Sequence, residues 1–454
     1  MRAGNRGAET LVGALAMVVL ALCLTPWAHV SRAGGWLGGV ETETLAALRD
    51  AGTQRMIMGG VAAYFFAFWW LKLRMSGTRF CGWRDPNLWL IFTVALAVFH
   101  PAANYTGAQQ STLALTLIST ATMGQSAATW AAWRQNSRDR RPGSAAAVAL
   151  AVFAVLLLAA CLLGTDTGRT FEYHRRERSS GLWDNPNIYG LLTGVGMVVS
   201  LGCLVQTARS EARGFQARSL KGCRGAFYAM AALAMAVGLV NSYSRGAWAG
   251  AVLALAYMAR STAKEGERIG PAAALECGRQ NWSWLALLVT AVAALMFWQV
   301  ARAEPVLAKR LASVVDTKDF SWRNRVASWE GALWMMAEKP WVGFGWSQPE
   351  TVYDRFYRQD KLPESGAIQM NDCLMLGMTL GVPALACVAL YVALALATRS
   401  PTANYQFRVA VERWPKAACR AATIVLLVGF WFDGGLFKLA TAAPFWILLE
   451  LGRE

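Results

Sequence analysis

Apolar residues run in long unbroken blocks along this chain instead of recurring every third or fourth position. LVGALAMVVLALCLTPWA, AAAVALAVFAVLLLAACLL and IYGLLTGVGMVVSLGCLV are three of them. A helix that crosses a bilayer needs about 20 mostly apolar residues. By that length the pattern predicts about twelve spans: 10–28, 57–73, 87–103, 112–133, 144–163, 186–207, 225–242, 245–259, 282–301, 372–397, 421–437 and 439–451. Two pairs form tight hairpins, 225–242 with 245–259 and 421–437 with 439–451. The first block, after MRAGNRGAET, resembles a signal peptide, but its apolar run is longer than a usual h-region and further spans follow. It is predicted to stay as an uncleaved first helix. The expected fold is all-α and polytopic: one integral membrane domain over residues 1–454, carrying an Arg-rich loop at 164–186 and a large loop at 303–370 that contains short amphipathic helices.

Loop charge orients these spans. With the N-terminus in the cytoplasm, loops 72–85, 134–141, 208–224, 260–281 and 398–420 carry 4, 4, 5, 4 and 5 basic residues against 1, 1, 1, 3 and 1 acidic. The opposite loops are balanced: three of each in 30–56, none in 101–111, four of each in 164–186 and nine of each in 303–369. The positive excess is all on one side, as the positive-inside rule expects, and both termini are predicted to be cytoplasmic. This accounts for the net charge of +16, which in a soluble protein would point to nucleic acid; no nucleic-acid partner is expected. Composition agrees, with 55% hydrophobic residues and only 16% charged, where a soluble domain carries about 25%. The nine cysteines stand singly, with no CxxC pair and no His cluster, so no disulfide framework and no metal site is predicted.

Three stations face outward on this topology. NSYSRGAWAG (241–250) places Arg245 in the turn between two spans. One reading is an interfacial anchor that snorkels to headgroups; the other is a cation at a site. GTDTGRTFEYHRRERSSGLWDNPNIYG (164–190) crowds Arg169, Arg175, Arg176 and Arg178 together, with Asp166, Glu172, Glu177 and Asp184 balancing them. It reads either as a salt-bridged surface loop or as an anion clamp, for which the planar guanidinium fork suits phosphate. Pro186 disfavours helix at Asn185, so the next span is predicted to start near Pro186 or Asn187 with Asn185 as its cap. The third station, 303–369, is too long for a simple connection. There Trp322, Val326, Trp329 and Leu333 recur at spacings of 4, 3 and 4, a helical stripe expected to lie on the membrane or over a cavity. Arg323 and Arg325 occupy its other faces, Pro340 and WVGFGW break it, and YDRFYRQDK (353–361) reads as another short helix. GFG is a weak phosphate-loop signal beside the plainer reading of a turn.

In this order and on one side of the membrane, RSSGLWDNPNIYG (178–190), SRGAWAG (244–250) and RVASWEGALWMMAEKPWVGFGW (325–346) resemble the O-antigen ligase and polymerase superfamily of bacterial membrane enzymes. The resemblance spans roughly residues 175–385. It implies a GT-C-like fold and a metal-independent, cofactor-free glycosyltransferase. A glycan on undecaprenyl diphosphate passes, at the periplasmic face, to a hydroxyl of a glycan, lipid A-core or protein acceptor. It places Arg178 and Arg245 on the donor diphosphate as the catalytic pair. Arg175, Arg176, Asn187, Ser244, Arg323 and Arg325 are the accompanying substrate-binding candidates. The helix starts at Asn187 and Gly246 would add dipole ends favourable to an anion.

The chain departs from the family where a ligase carries a His before an Asn and a helix. Here Met370 precedes Asn371. Asp372 is the favoured replacement base, with His174 or no base as alternatives. A general base contributes 10²- to 10⁴-fold, so its loss slows such a reaction without abolishing it. The other reading of Asp372 is an N-cap for a helix beginning near Cys373. His29 and His100 receive no role. A polymerase of the same superfamily, a non-catalytic lipid-linked-glycan binding protein and a transporter are the rival functions. The transporter fits poorly because the spans hold almost no ionisable residue; Asp433 and Lys438 lie at the turn of the last hairpin.

Overall fold

A computed structural model describes residues 85–98, 108–136, 145–163, 171–173, 176–183, 185–211, 218–269, 320–346, 352–358, 371–397 and 406–453, with isolated positions at 63, 66, 69, 70 and 83. The spans predicted at 10–28 and 282–301, and nearly all of 57–73, lie outside the described residues. The described elements are helical apart from one short hairpin. They fall into two compact units, one from Met1–Arg140, Thr317–Arg399 and Phe430–Glu454, the other from Arg141–Asp316 and Ser400–Gly429.

In the first unit, α1 (Pro86–Val98) packs on α9 (Val382–Ala397), and α2 (Ala108–Asn136) packs along α11 (Leu439–Arg453). The α2–α11 contact is close because Gly124 offers no side chain: a Cβ there would lie 2.9 Å from the Trp446 carbonyl oxygen. Small residues at a crossing let helix backbones approach, which is how apolar helices associate without a hydrophobic driving force. A polar network joins these helices inside the unit. Glu450, with no exposed surface, accepts from Gln125 Nε2 at 2.7 Å and from the Tyr391 hydroxyl. Arg453 lies 3.4 Å from Glu450 and donates to Asn87 Oδ1 at 2.9 Å. The span at 439–451 therefore does hold an ionisable residue, but an Arg one turn away at the helix end answers it.

The second unit is built around α4 (Pro186–Glu211). Its segment Pro186–Thr207 is apolar on every side and buried throughout, as expected of a central helix. α3 (Ala145–Leu163), α5 (Arg218–Asn241) and α6 (Arg245–Ile269) pack against it. Most of α10 (Gln406–Phe432) belongs here too: Trp414 Nε1 donates to the Gly202 carbonyl at 2.9 Å, and Val425 lies against Gly194 and Gly250. An antiparallel hairpin, β1 (Phe171–Tyr173) with β2 (Arg176–Arg178), pairs Phe171 with Arg178. It is the one departure from an all-α chain among the described residues.

Several predicted boundaries move. The predicted span 372–397 is two helices, α8 (Asp372–Leu380) and α9. Gly381 separates them with φ at 86°, and a Cβ there would lie 2.6 Å from the Trp341 carbonyl oxygen. The last hairpin's first helix begins at Gln406, well before 421, because the basic stretch read as a loop continues the helix. α5 and α6 likewise extend into their basic flanks. By length and composition three described helices can cross a membrane, Pro186–Thr207, Cys223–Asn241 and Trp414–Phe432, with shorter apolar helices at Pro86–Val98, Ala146–Leu162 and Val382–Ala397. α2 is long enough, but its Thr and Ser residues dilute the apolar run.

The α6–α10 contact generates a test. A Cβ on Gly250 would sit 2.8 Å from the Val425 carbonyl oxygen and 3.1 Å from its Cα, atoms that cannot swing aside. Gly250→Ala is expected to destabilise by about 1–3 kcal/mol. Gly225→Ala, whose Cβ would meet only Leu204 Cδ1 at 4.0 Å, is expected to be neutral or stabilising. Thermal unfolding of the two purified variants in detergent compares them; equal midpoints would contradict the packing.

Candidate functional site

In the second unit, α5 ends at Asn241 and α6 starts at Arg245, and the turn between them leaves a row of carbonyls to satisfy. Each finds a donor. Leu239 O accepts from Ser242 Oγ at 2.7 Å and from Trp248 Nε1 at 2.9 Å, and Val240 O from the Tyr243 amide at 3.1 Å. Asn241 O accepts from the Ser179 amide at 3.0 Å, and Ser242 O from Arg178 Nε at 2.9 Å. The segment after β2 thus closes the carboxyl end of α5, where a cation is electrostatically favoured.

Arg178 reaches a second element at the same time. One of its terminal nitrogens donates to Asn187 Oδ1 at 2.7 Å. Asn187 lies in the first turn of α4, which opens with Pro186 as predicted. Asn185 caps it, Oδ1 accepting from the Asn187 amide at 2.9 Å and the Ile188 amide at 3.3 Å. Ser244 caps α6 in the same manner, Oγ accepting from the Ala247 amide at 3.3 Å. The two helix starts approach closely: a Cβ on Gly190 would lie 2.5 Å from Ser242 Oγ and 3.0 Å from Ser244 Cβ. Arg245 follows Ser242 by three residues, so about 11 Å of chain at most separates it from the backbone atom that Arg178 grips. Arg178, Asn187, Ser244 and the backbone of Arg245 therefore lie in one neighbourhood, where two helices start, and helix starts carry a partial positive charge. Tyr243, between them, has φ at 51°. A bulky side chain in the left-handed region costs about 1–3 kcal/mol. Nothing in the residue types signals this strain; Asn or Gly would be the usual occupant. Arg175 lies outside the described residues, as does the side chain of Arg176.

The first unit holds the remaining candidates. In α7 (Phe320–Glu338) the predicted stripe divides: Val326 and Leu333 are 43% and 56% exposed, while Trp322 and Trp329 are half-buried. The buried face is formed by Asn324, Arg325, Ala327, Ser328 and Ala332. Arg323 is exposed. Arg325 is buried and forms an ion pair with Asp433 at 2.9 Å, the two side chains 9% and 2% exposed. That pairing gives Arg325, expected from the sequence as a substrate-binding residue, a structural partner in Asp433. Trp329 packs on Trp431 and Phe432 beside the pair.

The glycines of WVGFGW form a turn, not a phosphate loop. The amides of Phe344 and Gly345 donate to Met378 O at 2.8 Å and Thr379 O at 2.9 Å, which closes the end of α8. At the start of α8 the cap is Asn371, not Asp372: Asn371 Oδ1 accepts from the Leu374 amide at 3.0 Å. Asp372 instead accepts from the Leu436 amide at 2.7 Å in the turn before α11. α8 has nine residues, too few to cross a bilayer, and Asp372 stands at its first position, outside any spanning helix. Burial pushes its carboxyl up to about 7, opposed by the Leu436 amide, the Lys438 charge and the Gly435 amide. A carboxyl in that range suits proton transfer near neutral pH. Met370 lies outside the described residues.

Residues 230–389 match the family model described as O-antigen ligase. The matched stretch takes in Arg245, α7, the 340–346 turn and Asp372, and leaves out Arg178. No curated protein matches the chain. The match supports an O-antigen ligase-like membrane protein, with ligase-type or polymerase-type activity.

The Arg325–Asp433 pair makes a prediction of its own. Removing one partner of a buried ion pair strands the other charge and costs about 3–5 kcal/mol, whereas replacing both with apolar residues is nearly neutral. Arg325→Met and Asp433→Leu are each expected to unfold at markedly lower temperature than the parent, and the double variant to recover most of the loss. A double variant as unstable as the sum of the singles would mean the two groups act independently.

Proposed function

We propose that this protein transfers a glycan from undecaprenyl diphosphate to an acceptor hydroxyl at the periplasmic face of the bacterial inner membrane, in the manner of an O-antigen ligase. The observation that carries the proposal is the joining of Arg178 and the Arg245 turn at the starts of α4 and α6. In such a transfer the acceptor oxygen attacks the anomeric carbon. The bond from that carbon to the diphosphate breaks, and the lipid diphosphate leaves with the electron pair. Charge develops on the leaving group, and fixed donors aimed there lower the barrier. Arg178 and Arg245 take that role. Asn187 holds Arg178 by accepting its hydrogen bond, and Ser244 fixes the first turn that carries Arg245. Asp372 receives the acceptor's proton in place of the family His. Arg175, Arg176 and Arg323 add positive charge for the anionic donor. The reaction so described uses neither a metal nor a nucleotide sugar.

Ligase and polymerase differ only in acceptor, and deletion in the native host separates them. Accumulated lipid-linked polymer is expected for a ligase. Accumulated single repeat units would make the protein a polymerase, and altered solute uptake with normal surface glycan would make it a transporter.

Arg178→Lys and Arg245→Lys keep the charge and lose the planar fork. A hydrogen bond to a charged group contributes roughly 1.5–3 kcal/mol, so each variant is expected to transfer about 10- to 150-fold more slowly. Membrane insertion serves as the control for both variants and the thermal midpoint for Arg245→Lys; Arg178→Lys also gives up one of two structural hydrogen bonds and is expected to melt somewhat lower. Undiminished surface glycan in either variant removes the diphosphate grip from the proposal.

A further inference from the structure

At the start of α8, Asn371 is 1% exposed, and its two amide atoms have different fates. Oδ1 is committed to the Leu374 amide at 3.0 Å. Nδ2 is buried and has no hydrogen-bond partner among the described residues. A buried amide donor left unmatched costs about 1–3 kcal/mol, so this one either carries that cost or meets a ligand. The cap bond fixes where it is: Oδ1 is held at the first turn, and Nδ2 shares its carbon. The next residue is Asp372, whose carboxylate is bonded to the Leu436 amide and influenced by Lys438. With a carboxylate on the very next residue, a free anion is a poor match for this donor. A hydroxyl is a good one, since its oxygen accepts from an amide while its proton goes to a carboxylate.

We infer that Asn371 Nδ2 binds the acceptor hydroxyl, donating to its oxygen and presenting its proton to Asp372. The inference rests on the transfer activity proposed above and adds to it a residue that recognises the acceptor. Asn371 is a binding residue here. The attacking oxygen keeps the electron pair that forms the new glycosidic bond, and the proton passes to the Asp372 carboxylate as the bond to the diphosphate breaks. The bond from Nδ2 leaves the second lone pair of that oxygen free to attack.

The cap and the donor can be taken apart by substitution. Asn371→Asp and Asn371→Ser both retain an oxygen able to cap α8, and both lose the amide N–H. Asn371→Ser introduces no charge beside Asp372. The assay uses the full chain in vesicles, with lipid-linked glycan and acceptor extracts from the deletion host. The acceptor extract is varied at saturating donor. Both variants are expected to raise the apparent KM for acceptor extract about three- to tenfold, with unchanged KM for donor and, for Asn371→Ser, an unchanged thermal midpoint. Parent-like acceptor KM in both variants would overturn the assignment of Asn371, leaving the transfer activity standing. A parent protein that transfers nothing between the two extracts would overturn the activity and this inference together.

Discussion

Every helix that ends near hydrocarbon faces the same constraint: its last carbonyls have no water to turn to. α5 meets it with a guanidinium brought from a hairpin more than sixty residues earlier. Arg178 is suited to this because its planar fork bonds two acceptors in different directions, the Ser242 carbonyl and the Asn187 amide oxygen. A lysine would hold one of them as a point charge. The first unit repeats the device. Arg453, in the last turn of α11, reaches Asn87 at the start of α1 and lies beside Glu450. Arg325 holds Asp433, one residue past the end of α10. In each case an arginine joins elements distant in sequence at a helix terminus.

Much of the helical layout was legible because an apolar block of spanning length has few other fates. Residues 144–163, 186–207 and 225–242 each correspond to a helix, and Asn185–Pro186 marks the start of α4 where the local chemistry put it. The ends were less legible. Hydropathy falls where charges begin, but helix does not stop there: Arg408, Glu412 and Arg413 are good helix formers and simply continue α10 toward Gln406. Gly381 was hidden within an apolar run for the opposite reason, since hydropathy does not register a positive φ.

The site was half legible. Arginine crowding and the Ser-Arg-Gly turn pointed to Arg178 and Arg245, and Arg178 is bonded to the turn that leads into Arg245. The α7 periodicity marked a helix, but periodicity does not say which residues are buried: Val326 and Leu333 face out while Trp329 packs on Trp431 and Phe432. Where lipid or an interface is the alternative to water, large apolar side chains can face out while small and polar ones pack inward. Asn324, Ser328, Gly331 and Ala332 do so here, and Arg325 goes with them because Asp433 waits there. That partner lies 108 residues away, beyond any local signal. The sequence offered Asp372 as a cap, but Asn371 serves, and the Leu436 amide claims Asp372.

The bonds that make Arg178 a helix cap also bear on whether it can do chemistry. Catalytic stabilisation of a developing anion depends on donors fixed before the charge appears, because groups that must reorient recover little more than water would give. The 241–245 turn is held by Ser179, Ser242, Trp248 and Arg178 tightly enough to keep Tyr243 at φ 51°. A turn free to relax would release that strain by moving. That it stays strained means the surrounding bonds outweigh a cost of about 1–3 kcal/mol. Structural anchoring and anion recognition are therefore not competing accounts of this arginine. The anchoring removes the freedom that a surface guanidinium would have to surrender on binding.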